Sequence, residues 1–161
     1  DLLAVRWLAS QRRKNSECRP ALVELKYGDG ALKGSAGLIK HLEDINKILS
    51  DHEKYEAILQ TMEMQFEQLA ELGLVRLKSS SKSSRIELNS QTKPEVIIVL
   101  ANHNPRSRKL ADILNSPEIK ELNDPSKFDL KFFIASFAGY GFHQDCMVSL
   151  NELQKLLLQS M

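Results

Sequence analysis

The sequence predicts an α/β fold, a mixed sheet flanked by helices. Three observations carry that expectation. Short apolar runs rich in β-branched and aromatic residues recur along the chain, as in Val96–Ala101 and Phe128–Phe137. Longer segments between them repeat their apolar residues at helical spacing, as in Leu38, Ile39, Leu42, Ile45, Ile48 and Leu49. Glycine, proline and asparagine punctuate the joins, and the two kinds of segment alternate, which is the pattern of helices laid on a sheet.

Taken in order, Asp1–Leu8 is a near-continuous apolar run and suits a buried strand. Polar, basic Ser10–Arg19 follows as a connecting loop. Pro20–Tyr27 reads as a second strand, stopped by Gly28-Asp29-Gly30, so the two runs form a hairpin with a long loop. A helix comes next, broken near Ser50, where Ser50 and Glu53 offer a capping box to a second helix. That helix runs to about Leu72, with Tyr55, Ile58, Leu59, Met62, Phe66 and Leu69 on one face and Gly73 at its stop. Low-complexity Lys78–Arg85 is the best internal boundary, followed by a short strand at Arg85–Leu88. Beyond it lie the strand Val96–Ala101, a helix capped by Asn104 with Pro105 at its first position, and the strand Phe128–Phe137. A helix Leu150–Leu158 opened by a Ser149/Glu152 capping box closes the chain. Strand, helix, strand over this span predicts a crossover onto a parallel edge. The organisation expected is a core segment at 1–77, a flexible linker and short strand at 78–94, and a βαβα segment at 95–161 on the same sheet, one domain in all.

Composition narrows the function. The chain has 161 residues, 42% apolar and 27% charged, with a formal net charge of +1. Without a long basic tail, any contact with DNA must come from locally placed Lys and Arg. Cys18 and Cys146 lack Cys-x-x-Cys spacing and read neither as a zinc site nor as a disulfide framework. No apolar run approaches the ~18 residues of a membrane span, and the amino end lacks signal-peptide chemistry, so a cytoplasmic location is expected. Because the chain opens with Asp inside an apolar strand, it reads as a piece of something larger.

The chemistry centres on Glu24-Leu25-Lys26. Residues two apart on a strand share a face, so Glu24 and Lys26 project together while Leu25 enters the opposite layer. A carboxylate there can help hold a hard divalent cation, and an ammonium beside it can orient an attacking water. Acidic-x-Lys triplets also occur at Glu118–Lys120 and Asp129–Lys131. The former falls in a short helical or irregular segment, where i and i+2 share no face. The latter has no acidic strand before it. Only the first has the order acidic strand, loop, Glu-x-Lys strand, glycine turn, helix.

Asp1-Leu-Leu-Ala-Val, then Leu22-Val-Glu24-Leu-Lys26, then a helix, resembles the PD-(D/E)xK superfamily of restriction-endonuclease-like nucleases over about the first third of the chain. The resemblance implies a restriction-endonuclease-like core and hydrolysis of DNA phosphodiesters with Mg²⁺ or Mn²⁺. It implies Asp1 and Glu24 as metal ligands and Lys26 as the activating amine. Lys40 and His41, on the following helix, are the candidate auxiliary residues. Double-stranded DNA would be the partner, and Arg12, Arg13, Lys14 and Lys33 could meet its phosphates.

Competing readings are plainer. Glu24 and Lys26 could form a solvent-facing ion-paired stripe on an edge strand, worth under about 1 kcal/mol. The chain could also be a non-catalytic interaction module whose long helix, about 51–72, docks a partner or a second copy. His103, inside Asn102-His-Asn-Pro105, reads as helix-capping chemistry, and His143 with Cys146 as part of a turning loop.

Overall fold

A computed structural model describes residues 2–7, 18–75, 86–104, 107–135 and 142–159. Five strands form one sheet in sequence order: β1 (Leu2–Arg6), β2 (Arg19–Tyr27), β3 (Glu95–Ala101), β4 (Asp129–Ala135) and β5 (Val148–Ser149). The outer pairs β1–β2 and β4–β5 are antiparallel, and β2, β3 and β4 are parallel. The chain is therefore α/β with a mixed sheet, and the segments on either side of residues 78–94 pair within it. Among the described residues no helix is long and apolar enough to cross a membrane.

Among the described residues five α-helices accompany the sheet: α1 (Leu38–Ser50), α2 (His52–Glu71), α3 (Arg108–Leu114), α4 (Pro117–Leu122) and α5 (Leu150–Gln159). The main core joins Val96, Ile98, Leu100, Leu130 and Phe132 of the sheet to side chains from α1, α3, α4 and α5. Leu38 and Leu42 of α1 are fully buried in it, each contributing about 1.5–3 kcal/mol of transfer free energy. On α2, Tyr55, Leu59 and Met62 form a second cluster with Val5 and Leu49. The opposite sheet face carries Ala21, Val23 and Ile97, with Ala4, Val99 and Met147 against them, and among the described residues no helix side chain enters that cluster.

Local chemistry explains most boundaries and several departures. Asp51, not Ser50, caps α2: its side chain accepts from the Lys54 N–H at 3.2 Å, while Ser50 ends α1. Gly73, at φ 69°, ends α2; Leu74 N–H reaches Leu69 C=O and Gly73 N–H reaches Ala70 C=O, the paired bonds of a Schellman stop. The Ser149/Glu152 box forms as expected, with Ser149 N–H to Glu152 Oε2 at 2.7 Å and Glu152 N–H to Ser149 Oγ at 3.3 Å.

Residues 86–89 are irregular instead of a strand; Leu88 N–H donates to the Glu63 carboxylate of α2, not to a ladder. The helix expected from Pro105 begins at Arg108 behind Ser107. The first strand is a sheet edge with exposed Leu2 and Leu3, not a buried strand, because only β2 flanks it.

Candidate functional site

The β2 strand sits between β1 and β3, and its alternation is inverted relative to its hydrophobicity. Leu25 and Tyr27 are 55% and 67% exposed, whereas Glu24 and Lys26 are 5% and 2% exposed. Leu25 takes the layer opposite the charged pair, as strand alternation implies, but among the described residues α1 and α2 lie over the charged face and no helix covers Leu25. The solvent-facing edge stripe is thereby excluded, since the pair is buried on an interior strand.

The pair is held from three directions. Lys26 Nζ donates to Glu24 Oε1 at 2.6 Å and to the Ala36 carbonyl at 2.6 Å. His41 Nδ1, from α1, lies 2.8 Å from the same Glu24 oxygen. The loop between β2 and α1 supplies Ala36. It turns through Gly28 at φ 67° and a 3-10 turn at Asp29–Leu32, then meets α1 at Gly37. A Cβ at Gly37 would stand 2.9 Å from the Leu32 carbonyl oxygen, so only glycine lets the loop fold this tightly against the helix start. Burying two opposite charges is costly unless geometry and further hydrogen bonds compensate. Here the Ala36 carbonyl and the His41 ring provide them.

Glu24, His41 and Asp44 form the polar end of a cavity of ≈ 260 Å³ whose walls include Leu22, Ile45 and Ile48. A larger cavity, ≈ 380 Å³, lies at the β4–β5 edge beside Lys131, Met147 and Ser149; the Glu24 site does not line it.

A clamp lies directly behind the pair. His103, just past β3, places Nε2 3.1 Å from the Lys26 carbonyl oxygen and Nδ1 3.1 Å from Asp29 Oδ1. Both neighbours are hydrogen-bond acceptors, one a carboxylate oxygen and one a carbonyl oxygen. A hydrogen bond from Ser107 keeps Asp29 below its ordinary carboxylate value against the effect of burial, and His103 and Lys109 add to it. Gly28 N–H to Ala101 C=O, 2.7 Å, ties the same strand ends together. The capping role expected of His103 is replaced by this clamp, which joins residues more than seventy positions apart and leaves no local signal.

Of the other expected residues, Lys40 turns away from Glu24: its amine pairs with Asp44 and lies 3.9 Å from Glu43. The Asp44 hydrogen bond raises its pKa. Lys33 is exposed on the loop before α1. Asp1, Arg12, Arg13 and Lys14 lie outside the described residues.

A second buried carboxylate escaped the sequence reading altogether. Glu95, 1% exposed on the helix-free face, accepts from Arg6, from Arg19 at 3.3 Å and from Lys131 at 2.8 Å, all on Oε1. Arg19 and Lys93 also bind Asp129, which pairs with Glu95 across β3 and β4. Burial pushes the Asp129 pKa up, but Lys93 and Arg19 outweigh it and hold the carboxyl below its usual range.

Cys18 is buried, Cys146 is exposed, and no disulfide joins them. Among the described residues no three His, Cys, Asp or Glu side chains gather at metal-binding distance. No protein-family model, curated protein or solved structure matches the chain.

Proposed function

We propose that the chain carries the catalytic half of a metal-dependent DNA nuclease with a restriction-endonuclease-like core, acting through Asp1, Glu24 and Lys26. One observation carries the reading: a Glu-x-Lys pair is buried on the inner face of a hairpin strand, braced by the helix that follows and opening on a cavity. The order hairpin, glycine turn, helix around this pair is the order on which the resemblance rests.

The residues fit a hard cation. Among the described residues Lys26 and His41 both meet Glu24 on Oε1, and Mg²⁺ commonly takes one or two carboxylates and completes its shell with water and substrate oxygens. The β1–β2 register ends, among described residues, at Leu2↔Val23. The next β2 position is Glu24. Glu24 and Asp1 would hold Mg²⁺ or Mn²⁺, which supplies Lewis-acid polarisation of the phosphodiester.

Lys26 has the remaining task. Its ammonium, anchored by Ala36, orients the attacking water and meets developing negative charge. His41 fixes the Glu24 carboxylate. Lys33 at the loop and Arg12, Arg13 and Lys14 between the hairpin strands would meet duplex phosphates.

Cleavage of plasmid and linear duplex DNA in Mg²⁺ or Mn²⁺, with Glu24→Gln and Lys26→Met beside the parent, tests the reading. Loss of cleavage in both variants with unchanged circular dichroism is expected. Cleavage by Glu24→Gln at the parental rate would sink it.

A second reading rests on a separate observation. Met64, Leu69, Leu72 and Leu74 stay exposed along and just beyond the end of α2, which suits docking of a partner or a second copy through the long helix. Concentration-dependent sedimentation, abolished by Leu72→Glu, would support it.

A further inference from the structure

The long helix α2 carries a charge imbalance that the chain as a whole does not. Its 20 residues hold five glutamates, Glu53, Glu56, Glu63, Glu67 and Glu71, against one lysine, Lys54, in a chain of formal net charge +1. Glu56, Glu63, Glu67 and Glu71 recur at steps of seven and four, so they share one flank of the helix. Like charges four apart destabilise a helix. Glu63 accepts from Leu88 N–H at 2.6 Å, a neutral donor that does not cancel its charge.

Beside that flank lies an apolar one. Met64, Leu69 and Leu72 are 56%, 41% and 72% exposed, and Leu74, just past the end of the helix, is 69% exposed. At about 100° per residue, Met64 borders the glutamates, and Leu72 and Leu69 follow around the helix towards its buried side. An exposed apolar row marks a docking surface, and the charge along its rim selects what docks.

We propose, on the reading of α2 as a docking helix, that this face takes a basic amphipathic helix of another protein. The partner's apolar side lies on Met64, Leu69 and Leu72, and its lysines or arginines meet the glutamate flank. A second copy laid antiparallel would set glutamates against glutamates. The chain's own basic run at 76–85 brings one apolar residue, Leu77, to a row of four. A helix with one apolar and one cationic face meets both halves of the surface.

The probe is a labelled synthetic helix of about 18 leucines and lysines, long enough to fold on contact, titrated with the intact chain by fluorescence anisotropy. Saturable binding is expected, with amide shifts along α2. Leu72→Glu, and separately the double variant Gln68→Lys/Glu71→Lys, should each weaken it at least tenfold; all three positions are exposed. Binding unchanged in both variants would place the peptide elsewhere and overturn the proposal. A peptide with glutamate in place of lysine should bind at least tenfold more weakly. Equal binding of the two peptides, lost in Leu72→Glu, would overturn the basic partner and leave docking through α2 standing. Sedimentation of the chain alone should show a monomer. A dimer abolished by Leu72→Glu would make the second copy the occupant and overturn the proposal. Neither peptide binding at about 1 mM nor a dimer would overturn the docking reading with it.

Discussion

Two glutamates are buried in this sheet, and their surroundings differ in kind. Glu24 lies under α1 with one lysine and one histidine on it, the lysine two residues away on the same strand. Glu95 lies on the helix-free face with three cations on one oxygen, drawn from β1, β2 and β4. A carboxylate gripped from three strands is a cross-link whose charge is already balanced by three cations. A carboxylate held by its neighbour and one ring, at the polar end of a cavity, can exchange a partner. The difference separates a structural charge from a candidate catalytic one. Burial alone does not, since both are almost fully covered.

The largest expected effect lies in activity at the first glutamate. Glu24→Gln or Lys26→Met should cut metal-dependent DNA cleavage by about 10²–10⁴-fold. Glu95→Gln, measured at a temperature where it stays folded, should leave cleavage within about threefold of the parent, as expected of a residue outside the reacting groups. Equal losses at the two sites would erase the distinction between them.

Stability should rank the other way. Glu95→Ala leaves Arg6, Arg19 and Lys131 converging on an empty space. Removing one partner of a buried ion pair costs about 3–5 kcal/mol. In Glu24→Gln the Lys26 ammonium keeps the Ala36 carbonyl, and the loss should be about 1–3 kcal/mol. Urea midpoints for the two variants decide the ranking. A more damaging Glu24→Gln would make Glu24 the structural charge.

What could be read from sequence followed the distance over which the chemistry acts. Glu24 and Lys26 are two apart, and strand alternation was enough to put them on one face. Ser149 and Glu152 are three apart, and their box formed as expected. Which face of β2 would be covered was not legible: Leu25 and Tyr27 are as apolar as Leu22 and Val23, and the choice is made by helices that arrive later in the chain. The Glu95 network joins residues 36 to 89 positions apart, so no local spacing announces it. The triplet Asp129–Lys131 was set aside as lacking an acidic partner strand. Its partner is Glu95 on β3, which a search for a preceding strand of hairpin type passes over. The two-residue β5 is too short for any periodicity to show.

The clamp behind Lys26 sharpens the comparison with a smaller effect. If His103 acts on the site by holding the Lys26 carbonyl, then His103→Gln, whose amide can reach where Nε2 stood, should keep most of the cleavage rate. His103→Asn reaches only toward Asp29 and should lose about 10–100-fold, the usual weight of a group that orients a site from behind. Equal rates for the two variants at matched stability would show that the carbonyl contact does not matter. Nitrogen-15 spectra of the parent give a reading independent of activity, because each ring nitrogen reports the contact it makes.

The smallest effect separates the two faces by acid. The Asp129 pKa stands below its ordinary 3.8 in the folded chain, held there by Lys93 and Arg19 against burial. A carboxylate whose folded pKa is depressed stabilises the fold above its unfolded value and loses that contribution as pH falls through the folded one. Stability should therefore decline from about pH 4 downward, and part of the decline belongs to Asp129. The side chain is about one-third exposed, so solvent screening limits the share to roughly 1 kcal/mol. In Asp129→Asn the urea midpoint should start lower at pH 7 and fall less steeply below pH 4, approaching the parental curve at the acid end. A variant curve parallel to the parental one throughout would mean that Asp129 is not titrating within the Glu95 network, and that Glu95 and the Lys93 and Pro94 carbonyls suffice to hold Arg19.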